Sequence, residues 1–243
     1  MMRWQAPAPD ELVYVVGDIH GCADKLVLLL ERIDADDPGW AGRVIFVGDY
    51  IDRGEASADI LRFMAQATTD HPDVVMCLMG NHERMLLDFL ADPTGSAKRW
   101  IRHGGLQTLA SFGVGAGLTP DSLNPGELVD AAGDLRDAMG KDLVEWLDRL
   151  PLTWSSGSLW VVHAGADPAL SMEAQSVKTL LWGAESFLSE DRRDGNWVAF
   201  GHQPFEEPFA LAGRIAVDTG AVYGGQLTAA RVDPGGDVSF ISV

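Results

Sequence analysis

Short apolar runs alternate with amphipathic stretches through the first half of the chain, a pattern typical of an α/β layer architecture. The apolar runs predict strands over 12–16, 44–47 and 74–79. Loops are expected around Pro93 and over 113–125. The remaining stretches have apolar residues at helical spacing and predict helical segments at Ala23–Ile33, Ser57–Ala67, Met85–Leu90, Ala97–Phe112 and Glu127–Leu150.

The pattern changes at Thr153, after which the apolar segments have the length of strands. Only 173–181 keeps a helical spacing. The predicted strands of this half are Leu159–Val162, Val198–Phe200, Arg214–Val217 and Gln226–Val232. No linker rich in Pro, Gly or Ser separates the halves, and no repeat or low-complexity tract is visible. The sequence therefore predicts one α/β domain over 1–243.

Composition and charge narrow the class of protein. The 243 residues are 47% hydrophobic and 22% charged, which is a globular balance. An excess of 36 acidic over 18 basic side chains gives a net charge of −18, which disfavours binding to nucleic acid and to anionic membranes. No apolar run approaches the roughly 18 residues of a spanning helix. Two cysteines without a paired spacing predict no disulfide framework, and we expect a cytoplasmic protein of undetermined oligomeric state.

Five predicted strands run into a glycine or histidine that brings a metal-competent side chain with it. The junctions read VYVVGDIHG, VIFVGDYIDRG, VMCLMGNHE, LWVVHAG and WVAFGH. Ligands of an α/β sheet gather at the carboxyl ends of its strands, so we expect these ends to converge on one crevice. The side chains that would converge there are Asp18, His20, Asp49, Asn81, His163 and His202.

The donor chemistry of these side chains predicts a two-metal site. Singly, each motif could be a turn former or a structural histidine, but five together favour metal ligation. Carboxylate, imidazole and carboxamide without thiolate suit Mn²⁺, with Fe or Zn²⁺ as alternatives. Six ligands are too many for one catalytic ion that keeps open positions. A bridging carboxylate such as Asp49 could give one oxygen to each of two divalent ions.

The motifs GDIHG, GDYIDRG, GNHE, HAG, GHQP and VDTGA resemble, in this order, those of the phosphoprotein phosphatase family of calcineurin-like metallophosphoesterases. The resemblance is strongest to the bacterial and phage serine/threonine phosphatases. It implies a central β-sandwich flanked by α-helices, with a dimetal site at the C-terminal ends of the strands. It also implies a first metal held by Asp18, His20 and Asp49, and a second held by Asp49, Asn81, His163 and His202.

The same resemblance implies the catalytic residues. Asp52 and His82 match an acid dyad in which the carboxylate orients the imidazole, and Arg53 matches an arginine that grips the phosphate. Asn81 is expected to contact substrate as well as metal. The residues agree with these roles, because His82 lies beside a predicted ligand and could protonate a leaving alkoxide. The predicted reaction is attack of metal-activated water on phosphoserine or phosphothreonine proteins or on small phosphoesters.

Two departures from the family pattern concern the grip on substrate. Ala184 in LLWGAES stands where these phosphatases usually have a second arginine, and Met79 precedes GNHE where they often have arginine. Arg192 or Arg193 could replace the missing arginine, although a solvated charge run is the favoured interpretation of that segment. Trp182 is interpreted as core or as a wall of the cleft.

Two alternative functions stay open. A hydrolase of diadenosine tetraphosphate and similar dinucleoside polyphosphates would share much of the motif set, although Asp52 agrees better with the protein phosphatases. A metal-binding regulatory protein that has lost catalysis is the second alternative, suggested by Ala184. The intact dyad and the six candidate ligands weigh against it.

Overall fold

The structure is a computed structural model that describes residues 4–121 and 124–243, so residues 122 and 123 of the predicted 113–125 loop lie outside it. Within the described residues the strands form two mixed sheets. The strands of the first sheet are β1 (Val13–Val16), β2 (Arg43–Phe46), β3 (Val75–Cys77), β9 (Asp218–Thr219), β10 (Gln226–Val232) and β11 (Val238–Ser242). Their order is β11-β10-β1-β2-β3, with β9 paired to β10.

The second sheet comes mostly from the later part of the chain. Its strands are β4 (Thr153–Ser156), β5 (Leu159–Val162), β6 (Trp197–Phe200), β7 (Phe209–Leu211) and β8 (Arg214–Ala216). Their order is β4-β5-β6-β8-β7. In each sheet three neighbouring strands are parallel, namely β1, β2 and β3 in the first and β5, β6 and β8 in the second.

The two sheets pack face to face, and helices cover their outer faces. Alternate side chains of one strand point to opposite faces. Val13 and Val15 of β1 therefore pack between the sheets with Val161 and Ile215, whereas Tyr14 packs against the helices. The helices are α1 (Ala23–Asp36), α2 (Ser57–Asp70), α3 (Asn81–Ala91), α4 (Pro93–Trp100), α5 (Leu106–Ser111), α6 (Pro125–Met139), α7 (Lys141–Asp148) and α8 (Val177–Trp182). This architecture confirms the predicted β-sandwich flanked by helices.

The predicted helices differ from the structure where glycine or proline changes the backbone. The segment predicted as helical over Ala97–Phe112 is divided into α4, a π-helical segment at Ile101–Gly105 and α5, because Gly104 has a φ of 105°. Gly140, with a φ of 75°, separates α6 from α7. The prediction of a loop around Pro93 was wrong, because α4 begins at this residue. Proline is compatible with the first position of a helix.

Two further boundaries bear on the site. The helix predicted from Met85 begins at Asn81, where the Glu83 carboxylate accepts the N–H of Gly80 at 3.0 Å and caps the first turn. The helical pattern predicted over 173–181 is a 3₁₀ turn followed by α8. None of the helices in the described part of the chain is long and apolar enough to cross a membrane.

Candidate active site

The carboxyl ends of the parallel strands deliver the predicted ligands to one edge of the sandwich. Asp18 follows β1, Asp49 follows β2, and Asn81 opens α3 after β3. From the second sheet, His163 follows β5 and His202 follows β6. All of these side chains are buried except His202, which is half-buried.

Asp49 stands between two groups of side chains that could each hold a metal ion. Its Oδ2 is 3.5 Å from Nε2 of His20 and 3.8 Å from Nε2 of His82. Its Oδ1 is 3.4 Å from Nε2 of His163. In each group the donor atoms lie within 4.8 Å of one another. The first group is His20, Asp49 and His82, and the second group is Asp49, His163 and His202. One carboxylate thus faces two clusters.

Asn81 and Asp18 complete the cluster. Oδ1 of Asn81 is 2.8 Å from Nε2 of His163 and 2.8 Å from Nδ1 of His202. Both carboxylate oxygens of Asp18 accept the backbone N–H of His202 at 3.0 Å. The structure therefore places all six predicted ligands at this edge of the sandwich. Asp18 is tied to the second group through the His202 backbone, and His82 is directed toward the first.

The protonation states of these residues fit a bound cation. His20 and His163 donate from Nδ1 to the carbonyl oxygens of Ile51 and Val47, at 2.7 and 3.1 Å, which leaves each Nε2 as a lone pair facing the cluster. Burial lowers the pKa of His20 to about 3. The neutral imidazole that results is the form that ligates metals.

The carboxylates of the cluster show the complementary effect. Burial, with added repulsion from Asp218 and Asp49, raises the pKa of Asp18 well above its ordinary value. Burial and the nearby Glu83 do the same to the pKa of Asp49. A buried group of acids beside neutral histidines is a donor set that a divalent cation would stabilise.

The predicted dyad forms a buried network of its own. Nδ1 of His82 is 2.6 Å from Oδ2 of Asp52, and both side chains are almost completely inaccessible. Trp100 donates from Nε1 to Asp52 at 2.9 and 3.1 Å, and the Thr108 hydroxyl donates to it at 2.6 Å. Trp100 and Thr108 were not predicted as site residues. No local signal could have found them, since they lie 48 and 56 residues from Asp52.

Glu83 holds the turn that presents Asp49. Its fully buried carboxylate accepts the N–H groups of Asp49 and Tyr50, both at 2.8 Å, in addition to that of Gly80. Glu83 was not predicted as a site residue. Its place at the end of GNHE, three residues after a glycine that could precede a helix, was the available signal.

Backbone strain is concentrated at the site. Among the described residues, seven residues other than glycine have a positive φ, and five of these are candidate site residues: His20, Asp49, Asp52, Arg53 and His202. Such conformations cost of order 1–3 kcal/mol each and persist where the surroundings enforce them. Their concentration here marks this edge of the sandwich as a functional site.

Arg53 lies over the first group of the cluster. Its Nη1 contacts Nε2 of His20, and its guanidinium carbon is 5.4 Å from the centroid of the Tyr223 ring. The backbone N–H of Arg53 donates to the Gly104 carbonyl at 3.3 Å. A Cβ at Gly104 would come within 2.6 Å of that nitrogen. The glycine that breaks the predicted helix therefore makes room for Arg53.

The residues considered for the second arginine have different surroundings. The interpretation of Arg192 as part of a solvated run was wrong, because this side chain is 3% exposed and donates to the carbonyl oxygens of Asp167 and Leu170 at 3.0 and 2.9 Å. Its guanidinium supports a loop. Trp182, Ala184 and His202 instead line one cleft of about 480 Å³, so Trp182 is a wall of the cleft.

Comparison with known proteins decides the family. The profile of the calcineurin-like phosphoesterases matches residues 12–220. The chain belongs to this family. It is 30% identical over 230 residues to serine/threonine-protein phosphatase 1 of Salmonella typhimurium, covering 90% of this chain and 91% of that protein. It is 28% identical over 241 residues to the asymmetrical bis(5'-nucleosyl)-tetraphosphatase PrpE of Bacillus subtilis, covering 89% of each.

Solved structures agree on the fold of this calcineurin-like phosphoesterase. A serine/threonine phosphatase from Saccharomyces cerevisiae has a TM-score of 0.61 at 15% identity, covering 96% of this chain and 80% of that one. A cold-active protein-tyrosine phosphatase from a Shewanella species has a TM-score of 0.59 at 20% identity, covering 99% and 82%. These likenesses confirm the predicted metallophosphoesterase fold. The family profile and the phosphatase relatives confirm the predicted class of metal-dependent phosphatase.

Proposed function

We propose that this calcineurin-like phosphoesterase is a two-metal phosphomonoesterase that acts on phosphoserine or phosphothreonine in proteins, or on small phosphoesters. The observation that carries the proposal is the position of Asp49, whose two oxygens face two separate groups of histidines at 3.4–3.8 Å. A single bridging carboxylate between two ligand groups is what a dinuclear hydrolytic site requires.

The ligands divide between the two ions as the family pattern implies. Asp18, His20 and Asp49 would hold the first ion, and the second would be held by Asp49, Asn81, His163 and His202. Mn²⁺ suits this mixture of carboxylate, imidazole and carboxamide, and Fe or Zn²⁺ would also fit. When bound, the two ions would supply an activated water and neutralise charge on the phosphoryl oxygens.

His82 is proposed as the general acid and not as a ligand. Its Nδ1 is engaged by Asp52 at 2.6 Å, so the free Nε2 is the atom that can carry a proton to the leaving oxygen. Trp100 and Thr108 hold Asp52 from the other side and so fix the direction of the imidazole. The network therefore positions one nitrogen at the rim of the dimetal cluster.

Arg53 and Asn81 are proposed to bind the phosphoryl group. The planar guanidinium of Arg53 can give two parallel hydrogen bonds to phosphoryl oxygens. It lies beside His20, a predicted ligand of the first ion. The Asn81 carboxamide, placed between the histidines of the second group, retains an N–H₂ that can donate to the same group.

Hydrolysis of dinucleoside polyphosphates is the second candidate function. It is favoured by relatives named as tetraphosphatases that match 89% of the chain, whereas a relative named as a protein phosphatase matches 90% at slightly higher identity. The two chemistries share an attack on phosphorus and differ in the leaving group. A substrate comparison therefore separates them more directly than sequence similarity does.

The test is hydrolysis by the purified, Mn²⁺-loaded protein of a phosphoserine peptide, an aryl phosphate and diadenosine tetraphosphate. We expect turnover of both monoesters and no turnover with the Asp49→Asn variant, which serves as the inactive control. A kcat/KM for diadenosine tetraphosphate far above those of the monoesters would move the assignment to the second candidate. Absence of turnover on all three substrates, with both metals bound, would refute hydrolysis and favour a regulatory protein.

A further inference from the structure

Arg99 is a cation stacked on the wall of the active-site cleft. Its guanidinium carbon lies 3.9 Å from the centroid of the Trp182 ring. The Trp182 ring in turn lies 6.1 Å from the ring of the candidate ligand His202, at an interplanar angle of 86°. The guanidinium and the ring of a candidate ligand therefore both pack against the same indole.

The local fold brings Arg99 to this position. It lies in the last turn of α4, where a positive charge is favoured by the helix dipole. His103 donates from Nδ1 to the Arg99 carbonyl at 2.7 Å, and its ring centroid is 6.2 Å from that of His82. The turn that carries Arg99 thus spans from the acid dyad on one side to Trp182 on the other.

The charge of Arg99 is available to a ligand. Among the described residues, no carboxylate and no carbonyl oxygen is hydrogen-bonded to its guanidinium, and its side chain is exposed. Some exposed arginines of the described chain pair with a carboxylate, such as Arg84 with Asp88 at 2.7 Å, whereas Arg102 and Arg193, like Arg99, form no ion pair there. Stacking on a cleft-lining indole distinguishes Arg99 from these two. The protein has a net charge of −18, so acidic side chains are abundant. A guanidinium that none of the described carboxylates binds is suited to an anionic ligand.

The other described residues that line this cleft supply no positive charge. Ala184 has only a methyl group, and its neighbour Glu185 is acidic. Arg53 lies over the first ligand group, on the side of His20. A phosphoryl group held between the two ligand groups would therefore contact Arg53 on the side of the first group. On the side of the second group, Arg99 is the candidate cation.

We propose that Arg99, held flat against Trp182, is a second substrate-binding cation that hydrogen-bonds the phosphoryl group from the side of His202. Trp182 is its positioning residue, since stacking fixes the plane of the guanidinium without using its N–H donors. This inference rests on the proposed phosphoester hydrolysis and names a further residue of the same site.

The test measures binding of inorganic phosphate to the Mn²⁺-loaded protein by calorimetry, beside kcat and KM for an aryl phosphate. Arg99→Ala should raise the dissociation constant of phosphate and KM by about tenfold, the lower end for a charge-assisted hydrogen bond because the side chain is exposed. Metal content should not change. Arg99→Lys should recover part of the loss, and Trp182→Ala should lose less than Arg99→Ala.

Arg62→Ala is the matched control. Arg62 is also an exposed arginine on an aromatic ring, with its guanidinium carbon 5.2 Å from the centroid of Phe112, but it lies on α2 away from the cleft. Phosphate binding and KM should equal those of the wild type in this variant. Equal effects of Arg62→Ala and Arg99→Ala, or an unchanged dissociation constant in Arg99→Ala, would overturn the proposal.

A second pair of variants tests the position of the charge. Ala184 lines the cleft beside Trp182, so Ala184→Arg should restore phosphate binding to the Arg99→Ala variant while adding little to the wild type. A gain of equal size in both backgrounds would show that Arg99 never filled this role. Because phosphate binding is measured without turnover, failure of this inference stays distinct from failure of the proposed hydrolysis, which would show as an inactive wild type.

Discussion

Replacing His82 with asparagine separates proton donation from metal binding. The value of a general acid depends on how much the leaving group needs a proton. An alkoxide from serine leaves poorly and needs it, whereas a nitrophenolate leaves readily without help. His82→Asn should therefore lower kcat/KM on phosphoserine by about 10²–10⁴-fold and on a nitrophenyl phosphate far less.

The surroundings of His82 set the size of this effect. Burial lowers its pKa and raises the pKa of Asp52, so the pair favours its neutral forms before substrate binds. Charge that develops on the leaving oxygen would draw the proton toward it. Asp52→Asn should show the same selectivity in weaker form, because asparagine still orients the ring but cannot pass a proton to Nδ1 when Nε2 gives up its own.

The assay is a series of phosphoesters with graded leaving-group pKa, measured at constant Mn²⁺ with metal content determined for each variant. In the wild type the rate should depend weakly on leaving-group pKa, and in His82→Asn steeply. His71→Asn, at an exposed histidine after α2, is the control for the substitution itself and should match the wild type.

Two results would refute the reasoning. An equal loss across the whole series would show that His82 positions the site without donating the proton. Loss of bound metal in His82→Asn would show that His82 is a metal ligand. Its Nε2 lies 3.8 Å from Oδ2 of Asp49, so the two side chains could then share an ion.

Three other expectations concern the metals and Arg53. Asp49→Asn should reduce activity more than Asp18→Asn, with loss of both ions by metal analysis, because its carboxylate faces both groups. Binding of Mn²⁺ should release protons, measured by calorimetry in buffers of different ionisation enthalpy, and its affinity should fall as the pH is lowered. The reason is that burial raises the pKa of Asp18 and Asp49, so a bound ion would displace protons from these carboxyl groups. His20 is already neutral and has no proton to release. Gly104→Ala should raise KM for phosphoesters by displacing Arg53, while Gly133→Ala, where an added Cβ meets no atom within 4 Å, should leave KM unchanged.

Much of the candidate site could be predicted because its residues directly follow strands. A strand that ends at the shared edge fixes the position of the next one or two side chains, so Asp18, Asp49, His163 and His202 needed only the strand pattern and the parallel arrangement. The assignment of chemistry followed from residue types. The family resemblance then supplied the division of ligands, which the motif spacing alone left open.

The support for the dyad could not be predicted in the same way. Trp100 and Thr108 reach Asp52 because the chain between them forms a π-helical segment with a left-handed glycine, instead of the continuous helix that the apolar spacing indicated. A regular helix has fixed angular steps between residues, so a single altered φ reorients every side chain after it. Periodicity records which residues are apolar and does not record such a break.

The strained turn after β2 explains why the GNHE and GDY motifs belong together. Gly48, at a φ of 108°, lies so close to Gly80 that a Cβ would come within 2.4 Å of its nitrogen, and Asp49 follows in a left-handed conformation. A left-handed residue costs about 1–2 kcal/mol. Glu83 offsets this cost by accepting two N–H groups of the turn at 2.8 Å, where a hydrogen bond to a charged group is worth about 1.5–3 kcal/mol. The same carboxylate caps α3, whose first residues are Asn81 and His82, so one buried side chain ties the bridging carboxylate to the helix that carries a ligand and the acid.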